Sequence, residues 1–281
     1  MEWVLFTLVF GLCKGFREGI KKKALEKSST FEVLFLYTLL GFLLVIPTTK
    51  DVFSIPWQYY FFILIKAMLV FTAWTCSFNS IKHMPVSLYG VMDTSRVVFS
   101  TFMGITLMGE RLRLGQVTGM VLVILGLVLV NINQKSDTKV KGKYILLTLS
   151  ACLFNATSGV LDKWLTKTVT SGQLQFWFMF YLTVMYGIYI LASKTKVSVK
   201  SLKTNYWIII LAVIFIIGDR ALFIANANPE SRVTVMTLIK QSSVLAAILS
   251  GRVMFREKGT LRRTLCALVV IVGIVIATVV R

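Results

Sequence analysis

Apolar residues in this chain come in runs of about twenty, separated by short polar stretches, and a run of that length crosses a bilayer as one helix. Ten such runs follow one another: Trp3–Ile20, Phe31–Pro47, Trp57–Asn79, Met84–Glu110, Gln116–Asn131, Tyr144–Leu165, Gln173–Ser193, Tyr206–Asn226, Val233–Gly251 and Leu265–Val280. Ser28-Ser29-Thr30 offers an N-cap to the second run and Pro47 stops it. The pattern predicts an all-α polytopic membrane protein of ten transmembrane helices.

The chain also repeats itself. Met84–Glu110 returns as Asn228–Glu257, with Pro85 matching Pro229, Ser87 matching Ser231, Val91-Met92 matching Val235-Met236, and Arg96 falling on Lys240. Leu5/Leu146, Thr7/Thr148 and Gly126/Gly273 extend the match to other runs. The polar segment Gln134–Lys143 divides the chain near its middle. We therefore expect a first five-helix repeat over residues 1–133, a hinge over 134–143, and a second repeat over 144–281. Five is odd, so the second half enters the membrane upside down, an arrangement that recurs in transporters with the site between the halves.

Composition agrees and narrows the chemistry. Of 281 residues, 56% are hydrophobic and only 15% charged, which leaves little for a soluble domain. The formal charge of +19 sits mostly in loops, which points to membrane orientation and not to nucleic acid. The N-terminus has neither the basic region nor the small-residue cleavage site of a signal peptide. Cys13, Cys76, Cys152 and Cys266 lie inside apolar runs with no paired spacing, and there is one His. These residues suggest no metal, cofactor or disulfide, and no convergent set suggests an enzyme. The odd-numbered inter-span loops carry nineteen Lys and Arg against seven on the other side. By the positive-inside rule both termini lie outside a plasma membrane of bacterial type.

Charges inside the runs are the candidate site, because an intramembrane charge needs a partner or a water-filled cavity. They are Lys14, Lys66, Arg96, Arg220 and Lys240 against Glu18, Asp93 and Asp219. Lys14 and Glu18 share a helix face, as an ion pair would. Tyr89, Asp93, Arg96 and Ser100 also share one, which suits either a structural Asp93–Arg96 pair or a substrate site. Lys240, mid-span with Thr237 and Gln241 nearby, has no acid in its own helix. Asp219 and Arg220 are adjacent, so one is expected to pair across helices and the other to face a cavity. Arg17 and Lys21-Lys22-Lys23 read as the interfacial end of the first span, and Asp162, a turn or so beyond Asn155 and Ser158, as interfacial too. Gln175–Tyr181 reads as packing or lipid-facing material. The positive surplus favours an anionic or zwitterionic small molecule. Proton coupling would fall to Asp93, Asp219 or Glu18; exchange would need none of them. One chain suffices for a pathway.

Ten spans in two halves, with P-x-S…GE before the fifth span and P-x-S…RE before the tenth, resemble the drug/metabolite transporter superfamily, in its EamA-like branch. The resemblance implies a central cavity lined by spans 1–4 and 6–9, peripheral spans 5 and 10, alternating access without ATP, and termini in the cytoplasm, opposite to the loop charges. Leu238–Ser242 is similar to the ninth-span segment of sugar-phosphate translocators, which implies phosphate binding at Lys240, although Gln241 stands where that motif has its second cation. The alternatives are an exporter of amino acids or amphipathic compounds, bound by aromatics, and a flippase for lipid-linked substrates.

Overall fold

The computed structural model describes residues 2–83, 89, 92–93, 95–131, 141–194, 197, 200–255, 268–269, 271–273 and 275–276. Among them are helices α1 (Glu2–Lys27), α2 (Thr30–Val45), α3 (Trp57–His83), α4 (Ser95–Met108), α5 (Leu114–Asn131), α6 (Gly142–Leu165), α7 (Ser171–Ser193), α8 (Trp207–Ala227), α9 (Val233–Lys240) and α10 (Ser243–Phe255), with short helical turns at Ile46–Thr48 and Lys200–Thr204. Five segments are long and apolar enough to cross a membrane, and α4 and most of α5 are shorter apolar helices. Most of the 134–143 hinge and most of the tenth run lie outside the described residues.

The ends follow local chemistry. Ser29 caps α2 by accepting from the Glu32 amide at 3.3 Å. Thr170 and Gln173 cap α7 reciprocally, each side chain accepting from the other's backbone amide. One prediction fails in an informative way. The ninth run is two helices, α9 and α10, parted at Gln241-Ser242. There the amides of Gln241 and Ser242 reach back three residues, to Leu238 and Ile239, at 2.9 and 3.0 Å. The Gln241 side chain donates to the Thr237 carbonyl at 3.3 Å. Tightened turns with side chains bonding freed carbonyls are how a membrane helix breaks without orphaning its backbone.

Packing exchanges partners between the halves. α1 lies against α8 as α6 lies against α3, and α1 lies against α9 and α10 as α6 lies against α4. α2 meets α8 as α7 meets α3, while α2 meets α7 and α4 meets α9. The α1–α10 contact is close enough to demand glycine. A Cβ at Gly11 would fall 2.2 Å from Ser242 Oγ, and one at Gly15 would fall 2.1 Å from the Ser243 carbonyl oxygen. Small residues let membrane helices pack backbone to backbone. The outer surface stays apolar at Leu5, Phe61, Phe102, Ile188, Leu191, Ile217 and Val253, as a lipid-facing surface must.

Candidate functional site

Seven helices converge on a central chamber of about 80 Å³, room for a handful of waters. α1 contributes Phe10 and Arg17; α3 contributes Lys66, Val70 and Trp74; α4 contributes Arg96 and Ser100. α6 contributes Asn155, Ser158, Gly159 and Asp162, and α7 Phe178. Phe215, Asp219 and Leu222 come from α8, and Thr237 and Lys240 from α9, with Val233. A second chamber, of about 30 Å³, is lined by Lys14, Glu18, Lys21, Tyr37, Ser77, Phe78 and Tyr89. Arg17, Trp74, Arg96 and Asn155 line both and form the wall between them.

The second chamber is densely paired. Asp93 accepts from Lys14 Nζ at 2.7 Å and from Arg96 Nη2 at 2.8 Å. Glu18 pairs with Lys21 at 2.6 Å. Lys21 also donates to Ser77 Oγ at 3.4 Å, and Ser77 shares a hydrogen bond with the Tyr89 hydroxyl. Two expectations are corrected here. Lys14 pairs with Asp93 and not with Glu18, because α1 runs on to Lys27 and Lys21 supplies a cation three residues from Glu18. Lys21 is buried, not interfacial.

The central chamber is only partly paired. Lys66 Nζ lies 3.1 Å from Asp162 Oδ1 and 3.4 Å from the centroid of Phe178. Arg17 sits 5.1 Å over the Phe215 ring. Lys240 lies 5.6 Å from the centre of the Phe10 ring and, among the described residues, has neither hydrogen bond nor ion pair. Asp219, 7% exposed, has its Oδ2 buried without a hydrogen-bond partner, as does Arg96 Nε. Arg220 turns the other way, to Gln175, Thr48 and Thr49, so of this adjacent pair Asp219 faces the chamber.

The structure thus brings together Lys66, Arg96, Asp219 and Lys240 around one space, and Lys14 and Tyr89 around the next. Asp93 joins the two through Lys14 and Arg96. Arg220 and Gln241 line neither; Arg220 ties α8 to Gln175, Thr48 and Thr49, and Gln241 bonds a carbonyl of its own helix. Asp162 and Arg17, expected at the interface, line the central chamber. The rows Lys14–Arg17–Lys21 and Asn155–Ser158–Asp162, each spaced by three and then four residues, are the helix-face signal that marks them. Phe178, within a segment expected only to pack, is the platform under Lys66.

Helix α9 is itself held by charge. The Glu110 carboxylate, the final residue of the P-x-S…GE stretch, accepts from the Val233 and Thr234 amides at 2.6 and 3.0 Å and from the Thr234 hydroxyl at 2.6 Å. Lys240 ends the same helix. An anion at the N-terminus and a cation at the C-terminus both suit the helix dipole. Beside it Lys163, buried, donates to the Asn226 and Asn228 carbonyls and to Ser231 Oγ, fixing the turn from α8 into α9. Among the described residues no group of three or more His, Cys, Asp or Glu could hold a metal.

Comparisons with known proteins fit this geometry. A solved structure, described only as a crystal structure of a protein, superposes with a TM-score of 0.71 over 96% of each chain at 15% identity; at that identity the likeness is one of fold. No curated protein matches. The family model of the EamA-like transporters matches residues 1–132. Those residues hold α1–α5, with Arg17, Lys66 and Arg96 of the central chamber, and over them the chain is similar to the EamA-like transporter family, whose members are membrane transporters of the drug/metabolite kind.

Proposed function

We propose that this protein is a secondary transporter that moves a small anionic or zwitterionic metabolite across a bacterial plasma membrane by alternating access. One observation carries the reading. Around the two chambers six cations (Lys14, Arg17, Lys21, Lys66, Arg96 and Lys240) face three lining carboxylates (Glu18, Asp162 and Asp219) and Asp93 behind Lys14 and Arg96, and among the described residues the cation at the α9–α10 break has neither hydrogen bond nor ion pair. A positive surplus in a low-dielectric cavity favours an anion, and broken helices at mid-membrane are where transporters bind their cargo. Arg96 offers a flat fork with a free Nε, and Lys240 a point charge. Residues 1–133 and 144–281 act as the two moving halves, joined by the hinge at 134–143. The similarity of Leu238–Ser242 to sugar-phosphate translocators makes phosphate one anion to try.

A second reading, an exporter of amino acids or amphipathic compounds, draws support from the aromatic lining of Phe10, Trp74, Phe178 and Phe215. Thermal shift of the purified protein against carboxylated, phosphorylated, zwitterionic and cationic metabolites separates the two. Stabilisation by anions, lost in Lys240→Gln, supports the first; ligands that are all cations sink it. Orientation is tested separately. Single cysteines at Asp137 and after Arg281, in a chain without its four natural cysteines, are labelled in intact cells with an impermeant maleimide. The loop charges predict labelling at the C-terminus only, and labelling only at position 137 reverses the orientation.

A further inference from the structure

We propose that Asp219 is a proton-binding site, and that its protonation loads the central chamber for an anion; the second half of this rests on the anion reading above. Of the four carboxylates, three are engaged: Asp93 by Lys14 and Arg96, Glu18 by Lys21, and Asp162 by Lys66. Asp162 Oδ1 also lacks a hydrogen bond but has Lys66 Nζ 3.1 Å away, whereas Asp219, among the described residues, presents to the chamber a buried oxygen with neither a hydrogen bond nor an ion pair. A buried oxygen without a donor is costly, and its partner must come from outside the protein's own side chains.

The surroundings select which partner. α8 packs against α1, α2, α6 and α7. Toward Asp219 these present Arg17 from α1, the Tyr37 hydroxyl from α2 and Asp162 from α6, while α7 presents the neutral Gln175, bonded to Arg220. Across the chamber stand Lys66 of α3 and Lys240 of α9. A metal or ammonium ion entering here meets three cations. A proton bonds covalently to the carboxylate, adds no bulk and leaves the hydroxyl free to donate. It also changes the field. The ionisable residues lining the chamber are Arg17, Lys66, Arg96 and Lys240 against Asp162 and Asp219, a surplus of two positive charges that becomes three when Asp219 is neutral. Proton and anion then favour each other's binding, and by linkage the coupling is reciprocal. An anion released on one side takes with it the charge that made protonation easy to sustain, so both leave together. Asp93 and Glu18, already saturated by cations, are excluded from this role by their own ion pairs.

The test needs no substrate. Infrared difference spectra of the purified, substrate-free protein are recorded between mildly acidic and mildly alkaline pH. Wild type should show the carbonyl stretch of a protonated carboxylic acid; Asp219→Asn should lose that band, Asp219→Glu should shift it, and Asp162→Asn should keep it. A band that survives in Asp219→Asn, or none in wild type, overturns the proton site. Asp219→Glu guards against misfolding of the amide variant. In the second arm sulfate, ionised throughout this range, is the anionic probe, read by melting temperature. Wild type should bind it about tenfold tighter at the acidic pH, and Asp219→Asn equally at both. Sulfate affinity that ignores pH in wild type overturns the coupling. Sulfate that binds at neither pH, with the band present and lost in Asp219→Asn, overturns the anion reading and leaves the proton site supported.

Discussion

The two chambers share a wall and differ in how their charges are settled. In the smaller one Glu18 has a cation at 2.6 Å, and Asp93, behind its Lys14 and Arg96, has two within 2.8 Å. In the larger one Lys66 and Asp162 are paired, yet among the described residues Asp219 Oδ2 and Lys240 are not. A saturated ion network inside a membrane protein fixes helices, because removing one member strands the others. Unsettled groups cost stability and are kept for what they bind. On the function proposed above, holding falls to one chamber and exchange to the other, with Arg96 belonging to both.

That division can be broken by substitution. The largest effect is expected at Asp93. Asp93→Asn strands Lys14 and Arg96 together, a loss of about 3–5 kcal/mol, seen as a collapse in melting temperature or yield in detergent. A variant that melts like wild type would show that the smaller chamber is not a structural clasp. Next comes Glu110→Ala, which removes the cap of α9 for about 1–2 kcal/mol; because α9 carries Lys240, anion-induced stabilisation should fall with it, while Glu110→Gln should recover part of both. Lys240→Gln should weaken anion binding at least tenfold, roughly 1.4 kcal/mol, and Arg96→Lys should also impair it by losing the fork. The smallest effect sharpens the contrast most. Lys240→Gln and Asp219→Asn should leave the melting temperature of the ligand-free protein unchanged or raised, since neither breaks an ion pair. A drop as large as that of Asp93→Asn would erase the distinction between the chambers.

Much of the fold is legible in the sequence, because the length of an apolar run and the bilayer's thickness are matched physically. The caps of α2 and α7 and the Asp93–Arg96 pair follow from local spacing alone. What was not legible is long-range partnering. Lys14 chooses an acid 79 residues away over one a turn away, and Asp162 looks interfacial until α3 brings Lys66 to it. The break at Gln241-Ser242 is equally invisible in a run that stays apolar through Gly251, since it depends on the backbone of α1 lying across it at Gly11. Periodicity tells which residues share a face; only packing tells which face they meet.

The glycine face of α1 has a consequence for how the protein is made. Gly11 and Gly15 fit Ser242 and Ser243, which leave the ribosome more than two hundred residues after α1 does. The Glu18–Lys21 pair, by contrast, is available within α1 itself, and the counterion of Lys14 arrives with Asp93. During synthesis Lys14, Glu18 and Lys21 therefore find their partners early, while the bare backbone groove beside them stays unfilled until the ninth run emerges. A chain truncated before residue 240 would leave that groove without the segment that fits it.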